Sequence, residues 1–152
     1  MTGGRTTEQP PAPPVDAGPG PLITLGVIRT GYATREDCPR RPWSRPEPAR
    51  IHLAPAYADI VLGLVPGVRL FVLWWGHQSD RDILTRPVVH DAPPIGVCAS
   101  RGVHRPNPIG VTLAEILDTA PGVVTVRGMD CVDGTPLLDL KPALTLAGTH
   151  LQ

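Results

Sequence analysis

Val68-Arg-Leu-Phe-Val-Leu-Trp-Trp75 is the stretch that decides the fold. It is β-branched and aromatic, too short for a stable helix, and bounded by turn signals: Val65-Pro-Gly-Val68 before it and Gly76-His77-Gln78 after it. Those bounds make it a strand, and apolar residues at both parities predict a central one. Downstream, Gly96-Val-Cys-Ala-Ser100 reads as a short strand. Ile109 to Asp118 reads as a longer one, with Val111, Leu113, Glu115 and Leu117 on one parity. Thr119-Ala-Pro-Gly122 is a turn and Val123-Val-Thr-Val-Arg127 a clean strand, so the two runs form a hairpin. A polar turn, Asp130-Cys-Val-Asp-Gly-Thr-Pro136, leads into a last short strand, Leu137 to Leu140. Upstream, Ile23 to Arg29 is a first strand. Thr30 to Arg50 holds four prolines and no periodicity and reads as a long loop, while Tyr57 to Leu64 fits a short helix or a strand. Short strands joined by turns, with no long amphipathic helix, predict an all-β fold: a small single-domain β-barrel with short helical or irregular connections. The barrel is expected over residues 21–152. Residues 1–20 hold too little apolar surface to pack and are expected to form a disordered Pro-rich tail.

Composition narrows the classes of function. At 152 residues and 41% hydrophobic, the chain has the size and balance of one domain with a real core. It contains no apolar run of about eighteen residues to span a bilayer and no apolar segment of the secretory type near Met1, so the expected compartment is the cytoplasm, with no membrane partner. Cys38, Cys98 and Cys131 are odd in number and form no C-x-x-C pair, which predicts free thiols. The formal net charge is zero but unevenly spread. Arg29, Arg35, Arg40, Arg41, Arg45 and Arg50 face only Glu36, Asp37 and Glu47 in their stretch, and arginine is the side chain that grips phosphate or carboxylate in bidentate fashion. There is no phosphate-binding G-x-x-x-x-G-K-[ST] loop, no G-x-G-x-x-G after a strand, no G-x-S-x-G elbow and no H-E-x-x-H. His77, His90 and His104 match no metal-ligand spacing, so no metal site is expected.

Three polar clusters remain. Arg101-Gly-Val-His-Arg-Pro-Asn-Pro-Ile-Gly110 packs Arg101, His104, Arg105 and Asn107 into a loop that its prolines bar from helix or central strand. It is either a preorganised polar claw or a Pro-rich turn. Asp133-Gly-Thr-Pro136, with Asp139 and Lys141, is either a ligand-binding turn or a plain turn with an ion pair. Pro39-Arg-Arg-Pro42 is either an anion clamp or a solvated basic loop.

Taken together, the order Ile23-x-x-Gly-Val-Ile-Arg-Thr30, Pro39-Arg40, Gly96-Val-Cys-Ala-Ser-Arg101, Arg105-Pro-Asn-Pro-Ile-Gly110, Asp133-Gly-Thr-Pro and Asp139-Leu-Lys-Pro142 resembles the TsaA-like, or TrmO-type, S-adenosylmethionine-dependent methyltransferases. The resemblance covers about residues 22–142. It implies a β-barrel that forms a homodimer, binds S-adenosylmethionine near the subunit interface and N6-methylates threonylcarbamoyl-adenosine next to the tRNA anticodon. Carried onto matching positions, it assigns cofactor contacts to Pro39, Arg40, Arg41, His77, Gln78, Arg101, Val111, Asp133, Gly134, Thr135 and Pro136. It assigns pocket-shaping or substrate contacts to Arg105 and Asn107. The chain departs from the family pattern at Cys98, where a phenylalanine is usual, and at Ala143, where an aromatic is usual. It also stops at Gln152, where the bacterial tRNA enzymes continue into a further domain. Those departures leave three functions open: methylation of tRNA, methylation of a small molecule in a biosynthetic pathway, and non-catalytic S-adenosylmethionine binding. Transfer from a sulfonium mainly needs in-line alignment. An acceptor nitrogen flanked by a carbonyl also needs a base, for which His77 and Asp133 are the candidates.

Overall fold

Side chains that alternate between a buried and an exposed face need two environments, and a curled sheet supplies them. In a computed structural model, residues 18, 20–41, 47–89 and 92–144 are described. Most of the Pro-rich start, Arg45 and His90 therefore lie outside the described residues. The strands are β1 (Gly26–Arg29), β2 (Pro48–Leu53), β3 (Arg69–Trp75), β4 (Thr85–Arg86), β5 (Ile95–Gly96), β6 (Ile109–Ala120), β7 (Val123–Arg127) and β8 (Thr135–Pro142). Six of them close into a barrel in the order β1-β2-β7-β6-β3-β8, with β8 returning to β1, and every neighbouring pair is antiparallel. The remaining two, β4 and β5, pair separately as a small ribbon. Among the described residues no helix is long and apolar enough to cross a membrane.

The core lies inside the barrel. Leu70, Val72 and Trp74 of β3 meet Ile28 of β1, Ile51 of β2, Ala114 and Ile116 of β6, Val124 and Val126 of β7 and Leu137 of β8. Each large side chain fully buried there contributes about 1.5–3 kcal/mol. Closure also changes what the two apolar parities of β3 mean. In a barrel no strand is central or edge, so Phe71, Leu73 and Trp75 point outward rather than into a second layer. Trp74 is core, whereas Trp75 is half-buried with the Arg81 guanidinium 5.2 Å above its ring.

Several boundaries depart from the sequence reading. The first strand starts at Gly26 rather than Ile23; a Cβ built at Gly26 would lie 2.1 Å from the carbonyl oxygen of His52, so β1 and β2 approach too closely there for any side chain. The long loop expected to Arg50 ends earlier, at β2, whose Ala49, Ile51 and Leu53 face inward. Of the two readings of Tyr57–Leu64 the short helix holds, shifted upstream: Pro55–Val61 forms a 3₁₀ helix. Most of the strand expected at Gly96–Ser100 is likewise a 3₁₀ turn, Val97–Ala99. The hairpin of β6 and β7 matches expectation, closed by Pro121 and by Gly122 at φ 69°, a backbone conformation that glycine adopts without strain.

Candidate active site

β6 is longer than its partner, and the site begins there. β7 pairs with β6 only over Glu115–Ala120, so residues 109–114 have no ladder partner on that side. The chain leaves the ladder at Gly128, φ 100°. Continuing the register beyond Arg127 sets Asp130 opposite Thr112, and a side-chain hydrogen bond of 2.5 Å replaces the missing ladder. A cavity of about 870 Å³ opens at this gap. Its described walls include Arg35, Cys38, Pro39 and Arg40 from the loop after β1, and Phe71 and Trp74 from β3. His77 and Gln78 follow β3, Arg86 lies on β4, Arg101 precedes β6, and Val111, Thr112 and Leu113 lie on β6. Asp130, Cys131 and Thr135 complete the floor.

Of the residues assigned by resemblance, Pro39, Arg40, His77, Gln78, Arg101, Val111 and Thr135 share this wall. Arg41, Asp133, Gly134, Pro136, Arg105 and Asn107 do not. Asp133 accepts the Thr30 N–H at 3.0 Å and the Arg29 guanidinium at 3.2 Å, so it splices the turn before β8 onto the end of β1. Beside it Gly134, at φ 80°, makes the turn, and the Thr135 hydroxyl donates to Val132 O at 2.7 Å.

The proline-braced loop divides its work. Arg105 is half-buried and donates to Val97 O at 2.6 Å and to Ser100 O, two carbonyls at the end of the 3₁₀ turn. It therefore shapes the loop from within. Arg101 is exposed and donates to Val111 O at 2.8 Å, in the part of β6 that β7 leaves unpaired. His104, off the cavity wall, accepts the Asp80 N–H on Nδ1 at 2.9 Å and meets Arg35 with Nε2. Asn107 is exposed. Among the described residues no group of histidine, cysteine and carboxylate side chains could hold a metal ion.

Sequence reasoning missed the most enclosed polar unit of the site. The Trp74 indole Nε1–H donates to Thr112 Oγ1 at 3.0 Å, and that hydroxyl donates on to Asp130 Oδ1. Gly110 makes this possible. It is the cross-strand partner of Trp74, and with no side chain there the indole lies against β6 and leans diagonally to Thr112. Burial pushes the Asp130 carboxyl up, against the Thr112 hydrogen bond, its own amide and the Arg101 charge. Burial also raises the Cys38 thiol and pushes Cys131 up to about 12, so neither is a ready thiolate.

The chain has relatives among known proteins. A "probable S-adenosyl-L-methionine-binding protein" of Methanothermobacter thermautotrophicus is 37% identical over 118 residues, which is 78% of this chain and 85% of that one. The tRNA (adenine(37)-N6)-methyltransferase of Escherichia coli is 34% identical over 134 residues, 81% of this chain but 57% of the enzyme. A crystal structure of TrmO from Pseudomonas aeruginosa superposes with a TM-score of 0.71 at 27% identity, covering 86% of this chain and 58% of that one. The chain thus spans little more than half the length of these last two proteins. The sequence model of the tRNA-methyltransferase O N-terminal domain matches residues 27–147, from β1 to beyond the end of β8, and the chain belongs to that family.

Proposed function

We propose that the chain is an S-adenosylmethionine-dependent N-methyltransferase that N6-methylates threonylcarbamoyl-adenosine next to the tRNA anticodon, in the cytoplasm. The observation that carries this reading is the charge of the cavity. On its described walls four guanidinium groups, those of Arg35, Arg40, Arg86 and Arg101, accompany a single carboxylate, Asp130. A methyl donor with one carboxylate and two cationic groups uses little of that positive charge. The excess suits an anionic acceptor, and a nucleoside that bears a carboxylate within a phosphate backbone is one. Family membership and the activity named for the Escherichia coli relative support the same reading.

The residues present fit the donor. The cavity volume lies in the range of small-molecule sites, about 300–1,000 Å³. Arg101 offers a guanidinium for the donor's carboxylate, and Phe71, Val111 and Leu113 offer an apolar flank. Pro39, Arg40, His77, Gln78 and Thr135 complete the contacts, with Asp133, Gly134 and Pro136 acting through the placement of Thr135. When bound, S-adenosylmethionine supplies a methyl group on a cationic sulfur. The protein's part is to hold both reactants in line and to exclude water.

The test is mass spectrometry of tRNA nucleosides from a strain lacking the gene. Loss of the methylated threonylcarbamoyl-adenosine is expected, and an unchanged profile refutes the tRNA assignment. A second reading, binding without transfer, is favoured by the Methanothermobacter relative, which this chain covers almost fully and which is named for binding alone. Ligand heat in calorimetry with no transfer to any tRNA fraction identifies that case.

We also propose a homodimer built on the outer faces of β3 and β6. There Phe71 pairs with Leu113, Leu73 with Val111 and Trp75 with Ile109, and Phe71, Ile109 and Val111 remain 38%, 41% and 42% exposed. Three adjacent apolar pairs on a barrel's outside form a patch of the kind that marks a protein interface, and because Phe71, Val111 and Leu113 also line the cavity the interface would border the donor site. Light scattering is expected to give twice the chain mass; a value of 16.2 kDa excludes the dimer.

A further inference from the structure

We propose that Asp130 is the proton acceptor of the transfer, taking on its carboxylate the proton that the acceptor nitrogen loses, with Trp74 and Thr112 as the residues that position it. The inference rests on the methyltransferase reading above and assigns a step which that reading leaves open. A nitrogen next to a carbonyl has a delocalised lone pair, so attack without loss of its proton is slow. In the balanced step the C–S bond breaks with its electron pair left on sulfur, the N–C bond forms, and the N–H proton passes to the carboxylate. The positive charge of the sulfonium and the negative charge of Asp130 disappear together.

The hydrogen-bond directions fix the order of the relay. An indole N–H is only a donor, so Thr112 Oγ1 must accept from Trp74 at 3.0 Å and direct its own proton to Asp130 Oδ1 at 2.5 Å. That length is in the range of a hydroxyl on a charged carboxylate. Oδ1 is thereby held by Thr112, and the carboxylate also accepts from its own backbone amide, so its orientation on the cavity wall is set from within the protein. The relay is also rigid, since Trp74 and Thr112 are both buried, which is what a base needs to hold its direction while reactants come and go.

The other candidates are less suited. Both oxygens of Asp133 are engaged by Thr30 and Arg29, away from the cavity wall. His77 is on the wall but exposed to solvent. Asp130 is the only carboxylate on the described wall. Burial shifts its carboxyl upward, and hence towards neutral pH, where a base is most effective. Arg101 from the loop before β6 opposes that shift. Cys38 from the loop after β1 and Cys131 next in sequence are its other titratable neighbours, and Arg35, Arg40, Arg86 and His77 complete the charged wall. The ionised form is the active one, so the rate should rise as pH rises through the carboxyl pKa.

Asp130→Asn keeps the shape and the acceptor for Thr112 but cannot take a proton. Calorimetry with S-adenosylhomocysteine should show its affinity within about threefold of wild type. Single-turnover methylation of a threonylcarbamoylated anticodon stem-loop should fall by about 100-fold or more, with the acid limb of the pH profile gone. Thr112→Val removes a bond that favours the carboxylate, and should move the acid limb to higher pH. A readout independent of turnover is the Trp74 indole N–H resonance. It should shift with pH in the wild type, with the midpoint of the acid limb, and stay flat in Asp130→Asn. An Asp130→Asn rate within about threefold of wild type with its acid limb intact overturns the assignment. So does an indole resonance flat in the wild type between about pH 4 and 8, or a variant that loses ligand affinity but keeps its rate at saturation. Wild-type protein that binds the ligand and transfers nothing overturns both the methyltransferase reading and the base, whereas an unaffected Asp130→Asn overturns the base alone.

Discussion

Replacing Gly110 by alanine is expected to lower the stability of the folded chain by about 3 kcal/mol or more, near the upper end of what an added methyl costs a packed core. The new Cβ would stand 2.2 Å from Trp74 Cε2 and 2.4 Å from Cδ2 and Cζ2. These are atoms of a rigid bicycle, 7% exposed, with no flexible end to give way. The indole must leave its seat, and the Trp74–Thr112 hydrogen bond goes with it, a further loss of about 1 kcal/mol. For a chain of this size the melting temperature should drop by roughly 10 °C. Gly96→Ala is the control, because nothing lies within 4 Å of a Cβ there, and it should change stability by less than about 0.5 kcal/mol. Equal behaviour of the two variants in urea unfolding would refute the packing argument.

Arg101→Ala is expected to weaken binding of the methyl donor by roughly 10- to 100-fold, about 1.5–3 kcal/mol for a charge-assisted hydrogen bond, with the melting temperature unchanged. Arg101 is exposed and its one hydrogen bond among the described residues, to Val111 O, is worth little in water. Its position on the cavity wall offers a guanidinium to the ligand's carboxylate. Arg105→Ala is the informative contrast: its bonds to Val97 O and Ser100 O are internal to the loop, so it should lower stability as well as affinity. Calorimetry and thermal melts on both variants decide the matter, and an affinity change below about twofold for Arg101→Ala would mean that it makes no contact with the ligand.

The strands that could be read from the sequence are those rich in large apolar or β-branched side chains and bounded by a turn of known chemistry. β3, β6 and β7 qualify, and the Pro121-Gly122 pair fixes the register between the last two. β2 alternates in burial, but its outward residues are Pro48, Arg50 and His52, and it follows a proline-rich loop. Its identity as a strand comes from the two neighbours that supply its partners. The site divides in the same way. Arginines and prolines in tight clusters announced the loops around the cavity. Asp130 looked like one more residue of a polar turn, because what distinguishes it is burial against Thr112 and Trp74, distant in sequence. A signal was nevertheless available. Gly110, Thr112, Ala114 and Ile116 share the inward parity of β6, and a threonine among them must find a hydrogen-bond partner. The search for that partner leads to Asp130.

β8 fits between β1 and β3 as the last stave of the barrel, and that place has a cost in time. Arg29 and Asp133, which join the two sides of the seam, are 104 residues apart. At a synthesis rate of about 5–20 residues per second, the ribosome therefore takes roughly 5–20 s to deliver the second side after the first. Once β7 has been made and until β8 follows it, β1 and β3 can each find one neighbour but not the other, leaving two bare edges that invite a stray strand. A nascent chain stalled between β7 and β8 is thus the species most exposed to mispairing. Its yield in a cell should depend on how quickly translation crosses that short interval, more than on how stable the finished barrel is.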